Sequence, residues 1–574
     1  MTCSGQSGHR QARVLVIGLD GATFAVLHPL MARGLLPVLK AFAASAARGI
    51  LSSVDPCVTG PAWTSLATGK RPDNHGILDW SAPVPGSYRR QVVSARMRTD
   101  LAFWEILHRE GIPSGTINLP LTYPPSPETS FCVSGMLTPQ DATVRSHPPD
   151  LYPRLKRLGY RLDVVPRHYR RKGFHAFFDD LVAMTRARGR AVRHCLSRHP
   201  WQAAIAVFVG PDRIQHPFWQ YLEPLRPDSD QAQGAIAYFQ VLDQEIGHIL
   251  NLVPPETHVY IVSDHGFGPH HRAFHVNDWL QAHGYLHRKK DPLASVHARR
   301  MLRTLLRRLD QSNQHKLRPH TGPPAARTPH TVLEWLHEQG GTTFGPLEPR
   351  VDWSRTVAFA PTPFGIRINL EGREPRGIVP RARYDQVRAE IRDRLAAVTD
   401  PRTGDRIHAA VLFREERFSG KHADQAPDLV YRFVNPGTTW RIGSLHASQD
   451  GRRLKDSCVV ADMEWETGAH RLEGILLARG PDIRPGPVAM PMFLWDLLPT
   501  WLYHLDVPIP PDLDGRILTP IIHPRVLEKR HARTGATPAV REGSPPGPSP
   551  AAGTPLTSSD RSVEARLQDL GYLD

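Results

Sequence analysis

The sequence predicts an α/β protein whose central sheet is mostly parallel. Three short, largely apolar runs rich in β-branched residues support this fold class, at residues 14–19 (VLVIGL), 203–209 (AAIAVFV) and 258–262 (HVYIV). Strands that are buried on both faces of a parallel sheet have this continuous pattern rather than an alternating one. Each run leads into a polar turn containing glycine (GLDG, GPDR, SDHG), at the end of the strand where open α/β sheets gather their ligands.

Length and composition indicate a globular chain with more than one lobe. The 574 residues exceed what one compact core usually holds, and 40% hydrophobic with 22% charged residues is ordinary for soluble proteins. The net charge of +15 would suit an acidic substrate, an anionic membrane surface or nucleic acid. A basic solvated surface is the simpler interpretation, so we expect no nucleic-acid partner.

The cysteine pattern and the absence of long apolar segments indicate a reducing compartment. The five cysteines form no C-x-x-C pair, which argues against a disulfide scaffold and against a thiolate zinc site (Cys3, Cys57, Cys132, Cys195 and Cys458). The apolar run at 14–19 is too short for a signal peptide, and no stretch approaches the roughly 20 apolar residues of a transmembrane helix. We therefore expect a cytoplasmic protein without stable membrane insertion. The sequence predicts no particular oligomeric state.

Residues 54–78 (VDPCVTGPAWTSLATGKRPDNHGIL) are the segment around which the chemistry is organised. Thr59 follows an extended stretch and stands just before residues 60–68, which have the pattern of an opening helix. A helix N-terminus offers free N–H groups and the positive end of the helix dipole, which stabilise a phosphate or a deprotonated oxygen. Thr59 is therefore either a helix N-cap or an oxygen nucleophile, and this segment alone favours the N-cap.

Acidic and imidazole side chains follow all three predicted strands. Asp20 comes directly after the first run, where it serves either as a helix N-cap or as a functional carboxylate. Asp212 and His216 stand four residues apart, a spacing that places both on one face of a helical turn. Asp264 and His265 are adjacent at the end of the third run, and two consecutive polar residues at a buried strand end usually need a partner.

One further histidine completes the set. His470 precedes a predicted strand at 474–478, and by itself it is an ordinary loop histidine. The candidates together provide one hydroxyl, six carboxylate or imidazole groups and no sulfur: Asp20, Thr59, Asp212, His216, Asp264, His265 and His470. Two divalent ions need about that many ligands. One ion could deprotonate the threonine and the other polarise an electrophile, which suits in-line displacement at phosphorus.

The other segments predict insertions and a tail around a catalytic domain at 12–530. A cap insertion is predicted at about 80–200, with a helix at 101–109 and a strand at 114–118. A second insertion at 285–345 contains an amphipathic helix at 296–309, which covers a cap or, alternatively, lies on an anionic membrane. Residues 531–562 have the composition of a disordered tail, and 563–574 are predicted to form a short helix.

The order of the motifs resembles the alkaline phosphatase superfamily. GLDG, VTGPAWTSLATGKRPDNHGI, PDRIQH, SDHGFG and GAHR follow one another in that order. Within the superfamily, the chain most resembles type I phosphodiesterases and nucleotide pyrophosphatases and their bacterial phosphohydrolase and phosphomutase relatives. The resemblance spans roughly residues 12–520. It implies a three-layer α/β/α sandwich with a mostly parallel central sheet and helical cap insertions.

The resemblance also implies a two-metal phosphohydrolase acting on a small phosphorylated substrate. It assigns the ligands of two divalent ions as follows: Asp20, Thr59, Asp264 and His265 for one, and Asp212, His216 and His470 for the other. Thr59 would also be the nucleophile, forming a phosphothreonine intermediate. The ligand set suits Zn²⁺ best, and Mn²⁺ or iron serve in other members.

Several alternatives share the fold or the site. A phosphomutase or phosphotransferase would pass the phosphate from Thr59 to a second hydroxyl, a phosphonate hydrolase would use the same groups, and a binding protein would have lost ligands that this chain retains. Around Cys57, CVTGP lacks the proline and arginine of the sulfatase pattern C/S-x-P-x-R, which argues against a sulfatase. Nucleotide pyrophosphatases carry asparagine where this chain has Ala62, so the resemblance does not extend to nucleotide specificity.

Overall fold

The computed structural model describes residues 12–164, 173–289, 351–400, 403–433, 438–441, 460–462, 466–536, 540 and 563. The predicted amphipathic helix at 296–309 lies outside these residues. So do most of the predicted insertion at 285–345, most of the tail at 531–562 and all but one residue of the C-terminal helix at 563–574.

The strands, numbered in chain order, are β1 Arg13–Leu19, β2 Ala47–Ser52, β3 Ser81–Pro83, β4 Arg90–Val92, β5 Ser114–Ile117, β6 Phe131–Val133, β7 Ser146–His147, β8 Ala203–Phe208, β9 Thr257–Val262, β10 Gly266–Pro269, β11 Arg272–His275, β12 Ala358–Thr362, β13 Gly365–Ile368, β14 His408–Phe413, β15 Leu429–Phe433, β16 Thr438–Arg441, β17 Val460–Asp462, β18 Gly468–Arg471, β19 Glu473–Arg479, β20 Gly486–Pro487 and β21 Met492–Phe493.

The α-helices are α1 Phe24–Ala32, α2 Pro37–Ala44, α3 Thr59–Thr68, α4 Pro72–His75, α5 Phe103–Arg109, α6 Leu151–Arg157, α7 Phe174–Arg198, α8 Gly210–Leu222, α9 Asp230–Leu250, α10 Val276–Ala282, α11 Tyr384–Ala396, α12 Arg414–Arg417, α13 Leu497–His504 and α14 Pro524–Lys529.

The largest sheet has the strand order β20-β2-β19-β9-β1-β8-β5-β6-β7, with β21 also paired to β2. Its centre is parallel, because β9, β1, β8, β5 and β6 all run in one direction. Strand β19 is inserted antiparallel between β9 and β2, and β7 is antiparallel to β6 at the edge. The three runs that the sequence predicts as buried strands form β1, β8 and β9, and every residue of β8 and β9 is buried.

Helices pack against this sheet in two groups. In one group α9 packs on α2, α7 and α8, and the group meets the sheet where α7 contacts β8 and α2 contacts β19. In the other, α13 contacts α3 and β1. Trp63 of α3 lies so close to β1 that a Cβ on Gly18 would stand 2.4 Å from its ring, which requires glycine there. The sheet lies between two helical layers, which confirms the predicted α/β fold class.

Residues 80–200 contribute to the central layers. The strand expected at 114–118 is β5, and β5, β6 and β7 extend the main sheet beyond β8. Helix α7, with its buried apolar side, belongs to the helical layer that covers the sheet. The insertion boundaries at 80–200 and 285–345 stay a prediction.

A second, smaller apolar core is built around a four-stranded antiparallel sheet of order β12-β13-β15-β14. Helix α11 packs on β13 and β14. Tyr88, from the chain between β3 and β4, stacks on Trp353 with ring centroids 3.4 Å apart, which joins the β3–β4 hairpin to this core.

Within the described ranges, no single helix combines the length and apolarity needed to cross a bilayer. Helices α1 and α2 meet both criteria only as a pair, and they are bent by 102° relative to each other.

Candidate active site

Three aspartates meet at the carboxyl ends of neighbouring parallel strands. Leu19 at the end of β1 is in register with Phe208 of β8, and Gly18 with Val262 of β9. Asp20 directly follows β1, Asp264 follows β9, and Asp212 lies in the first turn of α8 after β8. All three are 0% exposed. The topology therefore concentrates three buried carboxylates at one edge of the sheet, the place where open α/β sheets bind ligands.

The structure overturns the N-cap interpretation of Thr59 and of Asp20. The N-cap of α3 is Val58, and Thr59 is the first helical residue. Its Oγ1 lies 3.2 Å from Nε2 of His265, and the side chain is fully buried. The N-cap of α1 is Thr23, whose hydroxyl accepts a hydrogen bond from the N–H of Ala25. Both candidate side chains are thus free for the site.

Thr59 and His265 form a first group with two of the aspartates. Nε2 of His265 lies 3.6 Å from Oδ1 of Asp20 and 3.4 Å from Oδ2 of Asp264. The four residues come from two strand ends and one helix N-terminus. They are the four that the family resemblance assigns to one ion.

His470 belongs to a second group, with Asp212 and His216. It lies on β18, which pairs antiparallel with β10 so that His470 stands opposite Phe267. Its Nε2 is 3.1 Å from Oδ2 of Asp212 and 3.2 Å from Nε2 of His216. Nε2 of His216 is in turn 3.4 Å from the same carboxylate oxygen. All seven predicted residues are therefore close together, and His265, whose ring stacks on that of His470 with centroids 3.6 Å apart, also lies near Asp212. Which residues bind which ion stays a prediction.

The protonation of two histidines follows from their backbone contacts. His265 faces the carbonyl of Gly266 with Nδ1 at 3.1 Å, and His470 faces the carbonyl of Cys57 with Nδ1 at 2.9 Å. A carbonyl only accepts, so Nδ1 carries the proton in both rings and Nε2 presents a lone pair. These lone pairs point at carboxylate oxygens and, in the second group, at another imidazole. Nε2 of His265 also faces the hydroxyl of Thr59 at 3.2 Å. Lone pairs and carboxylate oxygens that converge in this way suit a cation.

The carboxylate oxygens lead to the same conclusion. Both oxygens of Asp20 and Oδ2 of Asp264 are buried and accept no hydrogen bond within the described part of the chain. Burial, together with the mutual repulsion of the aspartates, raises the pKa of Asp20 and of Asp264 well above the usual range. Burying unpaired carboxylates is costly unless they are paired or coordinate metals. The residues present therefore fit divalent cations.

The spacing of the donor atoms fits as well. Two ligands at about 2.0–2.2 Å from a tetrahedral ion are themselves about 3.4 Å apart. The donor pairs within the two groups are separated by 3.1–3.6 Å. Carboxylate and imidazole donors without sulfur suit Zn²⁺ and also Mn²⁺ or iron.

Asp212 differs electrostatically from the other two aspartates. Burial acts to raise the pKa of Asp212, but His216 and Arg213 outweigh it and hold the pKa well below the usual range. Burial lowers the pKa of His216 and of His265, which favours the neutral imidazole, the form that binds metals. The pKa of Asp212 is thus held low by groups of the chain itself, whereas the pKa of Asp20 is raised.

A third His/Asp group has hydrogen-bond partners of its own. His258, Asp482 and His504 lie at the opposite end of β9, where Oδ2 of Asp482 is 3.4 Å from His258 Nε2 and 3.3 Å from His504 Nδ1. The two rings are stacked with centroids 4.1 Å apart. Oδ2 also accepts from Arg530 at 2.8 Å, and His504 Nε2 is 2.8 Å from the hydroxyl of Tyr260. This group is a buried hydrogen-bond network.

Sequence reasoning missed residues that support the donors. Arg213 is fully buried, and it donates to Oδ1 of Asp212 and to the carboxylate of Asp163. In the sequence, the one indication that Arg213 supports the site is that it directly follows Asp212 in PDRIQH. The carbonyl of Cys57, two residues before the candidate nucleophile, holds the ring of His470. No sequence pattern indicates a backbone carbonyl as a partner.

Comparison with known proteins yielded one family and several solved structures. The family model described as type I phosphodiesterase / nucleotide pyrophosphatase matches residues 14–450. A crystal structure of phosphonoacetate hydrolase from Sinorhizobium meliloti 1021 with phosphonoformate has a TM-score of 0.52 at 16% identity, covering 87% of this chain and 96% of that one. The same enzyme with phosphonoacetate has a TM-score of 0.51 at 15% identity, with the same coverage.

Murine ectonucleotide pyrophosphatase / phosphodiesterase 5, in an inactive form with AMP, has a TM-score of 0.49 at 14% identity, covering 89% of this chain and 100% of that one. No curated protein matches the chain. At these identities the likeness to phosphonoacetate hydrolase shows that the fold is shared.

Proposed function

This chain belongs to the type I phosphodiesterase / nucleotide pyrophosphatase family, whose model covers residues 14–450, and we propose that it hydrolyses phosphate mono- or diesters with two divalent ions and a phosphothreonine intermediate on Thr59. Family membership itself indicates a phosphoester hydrolase. One observation carries the finer proposal. The Thr59 hydroxyl lies 3.2 Å from Nε2 of His265, at a helix N-terminus and beside carboxylate oxygens that accept no hydrogen bond from any described residue.

Asp20, Thr59, Asp264 and His265 would hold one ion, and the second would be held by Asp212, His216 and His470. When bound, the ions would lower the pKa of hydroxyl groups beside them and neutralise negative charge on the phosphoryl oxygens. Zn²⁺ suits the imidazole and carboxylate donors best, with Mn²⁺ or iron as alternatives.

The chain's own contribution to the reaction begins with Thr59. Its Oγ1 would attack phosphorus in line, so that the Oγ1–P bond forms while the bond from phosphorus to the leaving oxygen breaks. Water would then cleave the Oγ1–P bond, restoring the threonine and releasing phosphate or its monoester. The burial of Thr59 excludes bulk water from the nucleophile before substrate binds.

Backbone donors are the best candidates for holding the phosphoryl group. Ala62 has no polar side chain, and its N–H already donates to the carbonyl of Val58 at 3.0 Å. Pro61 has no N–H. The N–H groups of Thr59 and Gly60 open the helix, where they have no carbonyl within the helix to bond and where the dipole favours an anion. We propose that these two N–H groups take the place of the side-chain donor.

A hydrolysis panel on metal-reconstituted protein tests the proposal. The substrates are bis(p-nitrophenyl) phosphate, p-nitrophenyl phosphate, a phosphonate monoester and p-nitrophenyl sulfate. Thr59→Ala is the test variant, and Thr64→Ala is its control, since Thr64 is a buried threonine of the same helix that bonds the Gly60 carbonyl at 2.8 Å. Chelator-sensitive cleavage of a phosphorus ester, lost in Thr59→Ala and kept in Thr64→Ala, supports the proposal.

Other outcomes would contradict it. Two bound ions without turnover of any ester would favour the phosphotransferase or phosphomutase alternative, which needs its own acceptor. Preference for the phosphonate ester would favour a phosphonate hydrolase. Neither ions nor turnover would favour a binding protein on the same fold.

A further inference from the structure

Arg213 is a buried arginine beside the second group of donors. It is 0% exposed, and its Nε and Nη2 donate to the two oxygens of Asp163 at 3.0 and 2.9 Å. The remaining nitrogen, Nη1, donates to Oδ1 of Asp212. The guanidinium therefore bridges a bidentate carboxylate partner and one oxygen of a candidate metal ligand, a geometry that lysine could not reproduce.

The two oxygens of Asp212 consequently have different surroundings. Oδ1 accepts from Arg213, while Oδ2 faces Nε2 of His470 at 3.1 Å and Nε2 of His216 at 3.4 Å. We propose that Arg213, held by Asp163, is a positioning residue that reserves Oδ1 of Asp212 and leaves Oδ2 alone for the ion. This inference rests on the proposed function, because it assumes that the second group binds a metal.

The backbone around Asp163 is itself fixed from a neighbouring layer. Arg188 of α7 is buried, and its Nη2 donates to the carbonyls of Arg161 and Leu162 at 3.0 and 2.6 Å. Its Nη1 donates to the carbonyl of Val207 in β8 at 3.1 Å. The segment that carries Asp163 is thus tied to the strand that leads into α8. Rigid support of this kind is what a positioning contact to a metal ligand needs.

The other two aspartates show that the arrangement is particular to Asp212. Asp264 has one oxygen bonded to the N–H of Gly21 at 3.1 Å and one that accepts no hydrogen bond from the residues that the structure describes. Asp20 has neither oxygen bonded within the described residues. A neutral backbone N–H thus holds Asp264, whereas a cation paired to a second carboxylate holds Asp212. Among these three aspartates, Asp212 is the one that accepts a hydrogen bond from an arginine side chain, which substitution can remove.

The competing explanation is that Arg213 and Asp163 merely stabilise the fold as a buried ion pair. The chain offers a matched control in Arg98 and Glu105. Those side chains are 6% and 5% exposed, and they form a bidentate pair at 2.7 and 3.0 Å. Neither residue belongs to the proposed site. Arg98→Gln should therefore reproduce the stability loss from a broken buried pair without any effect on metal binding.

The test measures metal affinity rather than turnover. Zn²⁺ dissociation constants are determined by competition with a chromophoric chelator for the full chain and for R213Q, D163N, the double variant and R98Q. Thermal midpoints are recorded for the same set. Supporting contacts to metal ligands are typically worth about 10–100-fold in affinity. R213Q is expected to weaken one of two Zn²⁺ sites by roughly that factor and to leave the other unchanged.

The double variant separates positioning from additive damage. Because Asp163 acts through Arg213, D163N should weaken the same site less than R213Q does, and the double variant should bind no more weakly than R213Q. The Co²⁺-substituted proteins add a spectroscopic readout. Freeing Oδ1 lets Asp212 supply a second oxygen, so R213Q should lose absorption intensity typical of four-coordinate Co²⁺.

Three results would overturn the inference. Unchanged Zn²⁺ affinity and Co²⁺ spectrum in R213Q, with a fall in the thermal midpoint like that of R98Q, would leave Arg213 a purely structural residue. Additive losses in the double variant would exclude action of Asp163 through Arg213. A wild-type chain that binds no divalent ion would overturn the inference and the proposed function together, whereas ion binding without ester hydrolysis would contradict the proposed function alone.

Discussion

Nδ1 of His470 donates a hydrogen bond of 2.9 Å to the carbonyl oxygen of Cys57. Cys57 stands two residues before Thr59, so the loop that presents the candidate nucleophile also orients a donor of the second group. The hydrogen bond fixes the proton on Nδ1 and turns Nε2 towards Asp212 and His216. Contacts from a ligand imidazole to a backbone carbonyl are the usual means of holding metal-binding histidines. The loop from Cys57 to Thr59 therefore links the group of donors around Thr59 to the group that contains His470.

His470→Ala should reduce the metal content from about two ions per chain to about one. The variant removes one of three donors in the second group and leaves the first group intact. Elemental analysis after dialysis against a weak chelator measures the content. His248→Ala is the control, because His248 is 58% exposed on α9, outside the proposed site. Equal metal content in wild type and His470→Ala would contradict the assignment of this histidine.

Asp20→Asn should have opposite effects on stability with and without metal. In chelator-treated protein, the substitution removes a buried carboxyl group whose two oxygens accept no hydrogen bond within the described parts of the chain, so the thermal midpoint should rise by roughly 3 °C or more. In metal-loaded protein the same change removes a ligand, so the midpoint should fall below that of wild type. Differential scanning calorimetry under both conditions measures the crossing, and a shift of the same sign in both would count against a cation at Asp20.

Gly21→Ala should weaken the first group of donors. Gly21 has φ +67°, and a Cβ there would stand 3.0 Å from the ring of Phe267, so alanine is strained in two ways. Its N–H also donates to Asp264 at 3.1 Å and would move with the backbone. We expect a loss of roughly 1–3 kcal/mol in stability, together with weaker binding of one ion. Gly34→Ala is the control, because φ is +73° there but nothing lies within 4 Å of the added Cβ.

The buried network at His504 should make the fold sensitive to acid. Burial lowers the pKa of His504 to about 4, from about 6.5 in an unfolded chain. The unfolded chain therefore takes up the proton first, so this stability is complete above pH about 6.5 and is lost as the pH falls towards 4. At about 1.4 kcal/mol for each pH unit between the two values, the loss is roughly 3 kcal/mol.

His504→Gln tests this sign. Glutamine keeps a donor for Asp482 and an acceptor for Tyr260 but cannot be protonated in this range. Arg530 and His258 also face Asp482 and are retained. The thermal midpoint of wild type should therefore fall more steeply than that of the variant between pH 7 and pH 4.5. Parallel curves would show that protonation of His504 does not limit stability.

Much of the fold and of the site could be predicted because short stretches of sequence suffice: an apolar run predicts a buried strand, and the polar residues after it lie at the ligand-binding edge of the sheet. The apolar runs that became β1, β8 and β9 are neighbours in the sheet, so the rule for strand ends brings Asp20, Asp264 and His265 together. Local rules failed where several explanations fit one residue. Threonine and aspartate are common N-caps, yet the caps proved to be Val58 and Thr23.

Other features depend on pairings between distant segments. His470 reaches the site because β18 pairs with β10, about 200 residues earlier in the chain, and no periodicity signals such a pairing. Arg213 is expected on the surface from its charge, and it is buried because Asp163 lies fifty residues before it to neutralise it. Sequence patterns locate individual donors, whereas their supports arise from tertiary packing.

The most direct test of the central claim is to trap phosphate on Thr59. Metal-loaded protein is mixed with the phosphate ester that it cleaves fastest, quenched in acid within milliseconds to seconds, and digested for mass spectrometry. We predict a phosphorylated peptide containing Thr59 that forms at least as fast as the steady-state turnover and is absent from chelator-treated protein and from Thr59→Ala. Full turnover by Thr59→Ala, or turnover by wild type with phosphate trapped on another residue, would contradict the account.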